Sequence, residues 1–229
     1  MSLEAWLQER QYAVPYHWRQ RPNDEREYLL RTAIVLELAG VADGSGASHV
    51  SERPLTLLDV GCGDGRFTAD AARRTSAIGV DVSRRALDHA RALVPHARFV
   101  ASGGAALPFR SESFDIVTLL DVVEHIRDEE ERAAIAEAGR VLRRGGRLIV
   151  STNTDRSSRE LKHYRHYTLD RFRSLFSGFE RLRLVGLIPY FPTLRIWMAA
   201  PIVWRLVRSR VRTCPPEKAQ VVIGAAVKT

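Results

Sequence analysis

The arrangement of hydrophobic and polar residues changes its period near residue 55. Over residues 25–39, apolar side chains recur at roughly helical spacing among charged ones, and Gly40 follows. This spacing predicts a helix that ends at Gly40. Beyond residue 55 the chain has short apolar runs, bounded by Gly, Asp or Pro and separated by helix-like segments: residues 55–60, 77–82, 98–101, 114–120 and 147–152. Such runs indicate a parallel sheet of βαβ units whose strands are buried on both faces.

Residues 181–187 and 220–227 are two more candidate strands. The insertion between them, residues 188–219, is apolar and rich in Trp and Arg, and we predict that it is helical. The expected fold class is α/β, a Rossmann-like three-layer sandwich with a seven-stranded, mostly parallel sheet and an antiparallel last strand. One domain is expected over residues 1–229, with these parts: a helical or lid segment (1–45), a cofactor-binding core (55–187), the helical insertion (188–219) and the last strand (220–227).

The composition is that of a folded globular protein. Apolar residues make up 45% and charged residues 27% of the 229 residues, which excludes the disordered and collagen-like classes. Cys62 and Cys214 lie far apart in sequence, so they form neither a disulfide framework nor a metal-binding spacing. The first residues contain no apolar signal sequence. These features predict a protein of the reducing cytoplasm.

The net charge of +8 raises the question of anionic partners. The excess is concentrated in residues 181–216, which hold seven arginines and no carboxylate. Because this segment also contains Trp197 and Trp204, it can form an amphipathic helix that lies peripherally on an anionic membrane. A helical cap packed on the protein's own sheet is the alternative. The segment has no unbroken run of about 20 apolar residues, so it is not expected to span a membrane.

Residues 57–67 read as a strand that runs into a glycine-rich turn and then a helix. Glycines allow a sharp turn with positive φ and let a ligand approach the main chain. A dinucleotide fingerprint would require glycine at position 66, where this chain has Arg66. Asp81 ends the next candidate strand, 22 residues beyond Asp59, where a carboxylate can accept hydrogen bonds from both ribose hydroxyls. The sequence therefore predicts a nucleoside site.

The same loop resembles the first motif of class I S-adenosylmethionine-dependent methyltransferases. That motif reads acidic-x-Gly-x-Gly-x-Gly, and it is matched by Asp59, Gly61, Gly63 and Gly65. Further matches follow in the family's order and spacing over roughly residues 55–152: residues 80–83, 106–109, 114–117 and 143–147. The resemblance implies S-adenosyl-L-methionine as the cofactor, with Asp59 near its methionine part and Asp81 on its ribose.

The resemblance also implies further cofactor contacts beyond the glycine loop. The residues expected to make them are Val82, Ala106, Leu107 and Asp121. Many relatives carry an Asp that meets the adenine amino group four residues before Leu107, but this chain has Gly103 there. We therefore expect backbone groups to recognise the adenine.

Histidines near the carboxyl ends of the fourth and fifth strands are candidates for acceptor chemistry. The methyl sulfonium is a strong electrophile, so the protein chiefly aligns the acceptor and needs a base only for a poorly acidic alcohol or amine. Histidine is the simplest base near neutral pH. We predict that His125 and His166 are catalytic, because ligands of open α/β sheets bind at this edge. The predicted substrate contacts are Tyr16 and His17, from an aromatic cluster suited to a lid, with His163 and Arg165.

Four residues in these segments also have the side chains of an oxygen and nitrogen metal site: Asp121, Glu124, His125 and His166. They resemble the divalent-metal cluster of small-RNA 3′-terminal 2′-O-methyltransferases, in which the metal engages the terminal ribose hydroxyls. The match covers these positions alone, with Asp121 where that family has Glu. Similar Glu-His pairs occur in methyltransferases without metal. We therefore predict no metal.

The predicted function is methylation of an oxygen of a small or amphiphilic acceptor, related to lipids, quinones or glycans. Residues 163–168, followed by the apolar insertion, are similar to bacterial methyltransferases with such acceptors. A metal-dependent RNA ribose 2′-O-methyltransferase is an alternative that the charge favours, but the sequence has no RNA-binding motif or basic-aromatic platform. A module that holds the cofactor without catalysis and a nicotinamide oxidoreductase are further alternatives, because fold does not determine function.

Overall fold

A computed structural model of the chain describes residues 9–10, 12–18, 22–41, 53–157, 163–188 and 212–229. The helices are α1 (Pro22–Ala39), α2 (Arg66–Ala72), α3 (Arg84–Leu93), α4 (Asp128–Val141) and α5 (Leu169–Ser174). The strands are β1 (Thr56–Val60), β2 (Ser76–Asp81), β3 (Arg98–Ala101), β4 (Phe114–Leu120), β5 (Leu142–Asn153), β6 (Phe179–Ile188), β7 (Arg212–Cys214) and β8 (Val221–Lys228). Two short 3-10 turns cover Val123–His125 and Pro216–Lys218.

The strands form one eight-stranded sheet in the order β3-β2-β1-β4-β5-β8-β6-β7. Strands β1 to β5 are parallel, and β8 is antiparallel to both of its neighbours. The chain moves outward from β1 to β3 and then crosses to β4 on the other side of β1. Ligands of open α/β sheets bind at such a switch point, beyond the carboxyl ends of the strands. This topology confirms the α/β fold with a mostly parallel sheet.

Neighbouring residues of the central strands point into two separate hydrophobic cores. Leu58 packs with residues of α4 and α5 on one face, while Leu57 packs with residues of α1 and α2 on the other. Both side chains are fully buried. The apolar runs of the sequence therefore are strands covered by helices on both faces, which makes the three layers.

Helix α1 ends where the sequence predicts. Gly40 has a φ of 76°, and the N–H groups of Gly40 and Val41 donate to the carbonyl oxygens of Glu37 and Leu36, both at 2.9 Å. A glycine in the left-handed region with such bonds is a common end of a helix. Among the described residues, none of the helices has the length and apolar character needed to cross a membrane.

The prediction of seven strands is wrong by one, and the predicted helical insertion is wrong over its last residues. Strand β7 pairs antiparallel with β6, with Gly186 opposite Cys214, and the turn Pro216–Lys218 leads into β8. A Cβ atom on Gly186 would lie 2.8 Å from the carbonyl oxygen of Cys214, so glycine permits this close pairing. A three-residue strand is too short to leave a periodic signal. Positions 189–211, with Trp197 and Trp204, lie outside the described residues.

Candidate active site

The glycine-rich loop after β1 needs its glycines for both conformation and space. Their φ values are 74°, 53° and 80°, at Gly61, Gly63 and Gly65. A Cβ atom on Gly61 would lie 2.4 Å from Cγ2 of Val122, and one on Gly63 would lie 2.5 Å from the hydroxyl oxygen of Tyr12. Side chains rarely adopt this region of φ, and no real Cβ makes contacts this short. The loop is therefore held between the N-terminal segment and the residues that follow β4.

Asp81 lies at the carboxyl end of β2, as predicted. Its Oδ2 accepts a hydrogen bond from the N–H of Gly63 at 2.8 Å, and its Oδ1 accepts one from the N–H of Ser83 at 2.8 Å. Burial raises the pKa of Asp81, although these two bonds oppose that effect. Each carboxylate oxygen can accept a second hydrogen bond. The carboxylate is thus fixed between the glycine loop and the start of α3, and its predicted contact with a ribose stays a prediction.

Asp59, near the end of β1, hydrogen-bonds to two elements that neighbour this strand. Its Oδ2 accepts a hydrogen bond from the hydroxyl of Thr68 at 2.6 Å, and its Oδ1 accepts one from the hydroxyl of Thr118 at 3.0 Å. These bonds connect β1 to α2 and to β4. Burial raises the pKa of Asp59 to about 6. The contact with the methionine part of the cofactor that the resemblance implies stays a prediction.

The raised pKa of Asp59 predicts a pH-dependent stability. The folded protein holds this proton more tightly than the unfolded chain, whose carboxyl has a pKa near 3.8. Stability from this group is therefore complete below the ordinary pKa and is lost as the pH rises through about 6. We expect the free energy of unfolding of Asp59→Asn, relative to wild type, to increase by up to about 3 kcal/mol between about pH 4 and pH 7. Urea unfolding at the two pH values measures this difference, and an equal difference at both would contradict the expectation.

The residues predicted to contact the adenine differ in whether their surface or main-chain amide can still bind a ligand. Val82 is 62% exposed, and a Cβ atom on Gly103 would lie 3.6 Å from its Cγ1. The N–H of Leu107 donates to Oε2 of Glu137 at 2.8 Å, and the N–H of Ala106 donates to the carbonyl of Gly103 at 3.3 Å. Because these amides already have partners, we expect the adenine to rest on the exposed surface of Val82 instead.

Residues 12–18 pack against the glycine loop through Asp64. The backbone N–H of His17 donates to Oδ2 of Asp64 at 2.8 Å, and its Nδ1 lies 2.9 Å from Oδ1. The indole N–H of Trp18 donates to the carbonyl of Asp64 at 3.0 Å. The ring of His17 thus serves to hold this segment on the loop, and we propose this role in place of its predicted substrate contact. Tyr16 is exposed beside it, and its predicted substrate contact stays a prediction.

Tyr12 is a site residue that sequence reasoning did not single out. Its side chain is buried, and its hydroxyl lies against Gly63. Burial, together with the nearby carboxylates of Asp81 and Asp64, raises its pKa above the usual range. Its carbonyl oxygen lies 3.1 Å from Nε2 of His89 on α3. The only sequence signal was its place in the aromatic cluster, which packing alone explains equally well.

Asp121 follows β4 and is tied to α1. Its φ of 55° is unusual for a residue other than glycine. The guanidinium of Arg31 donates to both carboxylate oxygens at 2.5 Å and to the hydroxyl of Ser151 at 3.0 Å. Burial opposes ionisation, but Arg31 holds the pKa of Asp121 below its usual value. We propose that Asp121 shapes this turn; its predicted cofactor contact stays a prediction. Arg31 was not foreseen, because it reads as an ordinary polar position of a helix.

Three of the predicted histidines meet at the carboxyl edge of the sheet. The ring centroids of His125 and His163 are 4.8 Å apart, and those of His163 and His166 are 5.3 Å apart. Nδ1 of His163 lies 3.2 Å from Nε2 of His166, whose Nδ1 lies 3.2 Å from the hydroxyl of Ser157. We call His125, His163 and His166 the histidine cluster. One hydrogen bond joins the rings of His163 and His166, and His125 meets His163 in an edge-to-face ring contact. Imidazoles in such a group can accept a proton near neutral pH.

Glu124 lies beneath the histidine cluster and is fully buried. Its Oε1 accepts a hydrogen bond from the amide of Asn153 at 3.3 Å, and its backbone carbonyl accepts one from the N–H of Tyr164 at 2.8 Å. The second bond aligns residues 123–125 with the segment that carries His163. Burial and the charge of Asp121 raise the pKa of Glu124 to about 8.

Arg165 is used in the packing of α4. Its guanidinium donates to the carbonyl of Val123 at 2.8 Å and to Glu131 at 3.1 Å, and it pairs with Asp128 at 2.7 Å. We therefore propose a structural role for Arg165 in place of its predicted substrate contact. A separate open groove of about 900 Å³, whose lining includes Arg171, contains none of the residues predicted for the site.

Comparison with known proteins agrees with this geometry. Residues 58–150 match the family described as methyltransferase domain. A probable S-adenosylmethionine-dependent methyltransferase of Mycobacterium tuberculosis is 33% identical over 150 residues, which cover 61% of this chain and 53% of that protein. A ubiquinone biosynthesis O-methyltransferase of Rhizobium etli is 34% identical over 115 residues, which cover 47% of this chain and 46% of that protein. The chain spans about half or less of the length of these curated relatives.

Among solved structures, the N-methyltransferase NodS of Bradyrhizobium japonicum, in complex with S-adenosyl-L-homocysteine, is similar with a TM-score of 0.67. The match covers 99% of each chain at 18% identity. At this identity the likeness is one of fold, and it extends over the sheet and the helices on both of its faces.

Proposed function

The chain carries the methyltransferase domain of the class I S-adenosylmethionine-dependent family, and on that premise we propose that it methylates an oxygen atom of a small or amphiphilic acceptor. The histidine cluster is the observation that carries this proposal. Val122, which packs against Gly61 of the glycine loop, lies three residues before His125. This connection supports a base close to the loop that we propose holds the methyl donor.

Oxygen is the acceptor atom that makes most use of such a cluster. The sulfonium of S-adenosylmethionine needs little activation, but an alcohol or phenol reacts faster when its proton is removed in the transition state. In our proposal His125 takes this proton, and the hydrogen-bonded pair His163 and His166 lies beside it. Residues 12–18, which lie over the glycine loop, exclude water from the donor.

The class of acceptor rests on weaker support. The Rhizobium etli relative is named as an O-methyltransferase of ubiquinone biosynthesis, and the segment 189–211 is apolar and basic. We propose a lipid-, quinone- or glycan-related acceptor, peripheral contact of residues 189–211 with anionic membrane, and a single domain over the chain. A cytoplasmic location is proposed on the sequence alone.

Replacing His125 by alanine is expected to lower methyl transfer by about 100-fold or more, because general base catalysis contributes about 10²–10⁴ to rates. Binding of S-adenosylhomocysteine should be unchanged, since the glycine loop and Asp81 remain. The assay follows labelled methyl from S-adenosylmethionine into an extract of the source cells, divided into organic-soluble material and purified RNA. His96→Ala, at an exposed position before β3, is the matched control.

Label in the organic phase that requires His125 supports the proposal. Label confined to RNA would overturn the acceptor class and favour the RNA ribose alternative. Cofactor binding without label in any fraction would favour a binding module, and equal activity of His125→Ala and wild type would remove the proposed base.

A further inference from the structure

Glu124, His125 and His163 form a compact group of ligand-type atoms. One carboxylate oxygen and one ring nitrogen from each histidine all lie within 4.8 Å of one another. Two of the residues belong to the 3-10 turn after β4, and the third lies on the segment bonded to that turn through Tyr164 and Glu124. The group is therefore held by main-chain geometry rather than by a chance meeting of surface side chains.

One of the two carboxylate oxygens of Glu124 is buried without a hydrogen-bond partner among the described residues. Glu124 is 0% exposed, and its Oε2 has no hydrogen-bond partner among the described residues. An unsatisfied buried polar atom costs about 1–3 kcal/mol, and native structures contain few of them. The nearby hydroxyl of Thr152 is also buried without a hydrogen-bond partner in the part of the chain that the structure describes, so a bound species would have two polar atoms to satisfy here.

The surrounding charges favour a cation. The guanidinium of Arg31 lies beside Asp121, and both carboxylate oxygens of Asp121 accept hydrogen bonds from it. Arg31 is thus occupied by Asp121 and also pairs with Glu27. It therefore does not offset an ionised Glu124 next to the two imidazoles. A buried negative charge needs an opposite charge or a metal ion.

We propose that Glu124, His125 and His163 bind a divalent transition-metal cation of the Zn²⁺ type. Two imidazoles and one carboxylate are the ligands of catalytic zinc sites that keep a position open, and imidazole favours transition metals over Mg²⁺. Bonds of about 2.0–2.2 Å place the ligand atoms of a tetrahedral site roughly 3.4 Å apart. Small side-chain rotations are enough to bring the three atoms onto one ion.

Outer partners of the kind found in metal sites are also present. A ligating histidine usually hydrogen-bonds through its second nitrogen, which fixes the ring. Nδ1 of His163 has this relation to His166, and His166 is bonded in turn to Ser157. Asn153 holds the other oxygen of Glu124. This ligand set differs from the one that the sequence suggested. Asp121 is paired with Arg31, and His166 is hydrogen-bonded to the ligand His163 and is not itself a ligand. The proposal replaces our expectation that no metal is bound.

The open position would receive the acceptor oxygen and lower its pKa, so that it reacts as an alkoxide or phenolate. This role rests on the proposed methyl transfer to oxygen, whereas binding of the cation does not. With the ion bound, His125 is a ligand and not the base named under the proposed function, and His166 takes the released proton.

Titration of tag-free, chelator-treated protein with Co²⁺ tests the site, because Co²⁺ bound to imidazole has visible d–d absorption. We expect one saturable site from which Zn²⁺ displaces Co²⁺. Glu124→Gln and His163→Ala should each weaken binding by at least about 100-fold, and His166→Ala by about 10–100-fold as an outer partner. His96→Ala should bind like wild type. Circular dichroism and thermal unfolding of the metal-free variants verify that each is folded, and the isosteric Glu124→Gln is the variant best suited to remain so.

The absence of saturable absorption would overturn the inference, as would unchanged binding by Glu124→Gln and His163→Ala. Methyl transfer is measured separately on the same preparations. Tight Co²⁺ binding without methyl transfer to any fraction keeps the inference and overturns the proposed function. Methyl transfer by protein that binds no Co²⁺ overturns the inference alone.

Discussion

Asp81→Asn is expected to raise the dissociation constant for S-adenosylhomocysteine by about 100-fold, because hydrogen bonds to a charged group contribute about 1.5–3 kcal/mol each. The carboxylate accepts from Gly63 and Ser83 and is proposed to accept from the ribose hydroxyls as well. An asparagine has only one oxygen, so it loses one backbone bond and presents an N–H₂ group to the ligand. Isothermal titration calorimetry measures the change.

Asp88→Asn is the matched control for this substitution. Asp88 lies on α3, a few residues beyond Asp81, and its exposed carboxylate pairs with Arg91. The same change of charge there should leave the dissociation constant as in wild type. If Asp81→Asn is folded and binds S-adenosylhomocysteine as tightly as wild type, the assignment of the ribose site to Asp81 is wrong.

Gly61→Ala is expected to destabilise the protein more than Gly145→Ala, although the two glycines have nearly the same φ, 74° and 75°. The left-handed conformation costs alanine about 1–2 kcal/mol at both positions. A Cβ atom on Gly145 would meet nothing within 4 Å in the part of the chain that the structure describes, whereas on Gly61 it would lie 2.4 Å from Val122. Overpacking adds about 1–3 kcal/mol. Urea unfolding separates the two contributions.

A second pair of variants isolates the contact. In protein that carries Val122→Ala, the methyl group of Gly61→Ala no longer meets Cγ2 of residue 122, so the extra loss should disappear and the cost should match that of Gly145→Ala. A double-mutant cycle measures this coupling. Equal destabilisation by Gly61→Ala and Gly145→Ala would show that the loop can move away from Val122, and the close junction of the cofactor loop with the residues after β4 would then be wrong.

Patterns within one segment were predicted best. Strands β3 and β4 begin and end at the predicted residues, because glycine, proline and acidic residues mark their limits. The glycines with positive φ were also predicted, since a sharp strand-to-helix turn requires them. In each case the signal is local, and so the neighbouring residues determine it.

Contacts between distant segments were not predictable in the same way. The sequence placed histidines at one edge of the sheet, but it could not choose between His163 and His166 as the neighbour of Glu124. That choice depends on the path of the loop after β5. The pairing of Arg31 with Asp121 spans 90 positions, and no periodicity on α1 indicates it. Tyr12 likewise becomes a site residue only through the packing of its segment on Gly63.

The position of β8 has a consequence for how the sheet is assembled. This strand lies between β5 and β6, yet it follows both of them in the chain, and six of its eight residues are buried. Until β8 is in place, β6 has nothing to join it to β5, and the long β5 keeps an open hydrogen-bonding edge. Such edges recruit strands of other chains, and pairings between distant segments form slowly. The interval before β8 docks is therefore a stage of folding at which the open edge of β5 favours pairing with other chains.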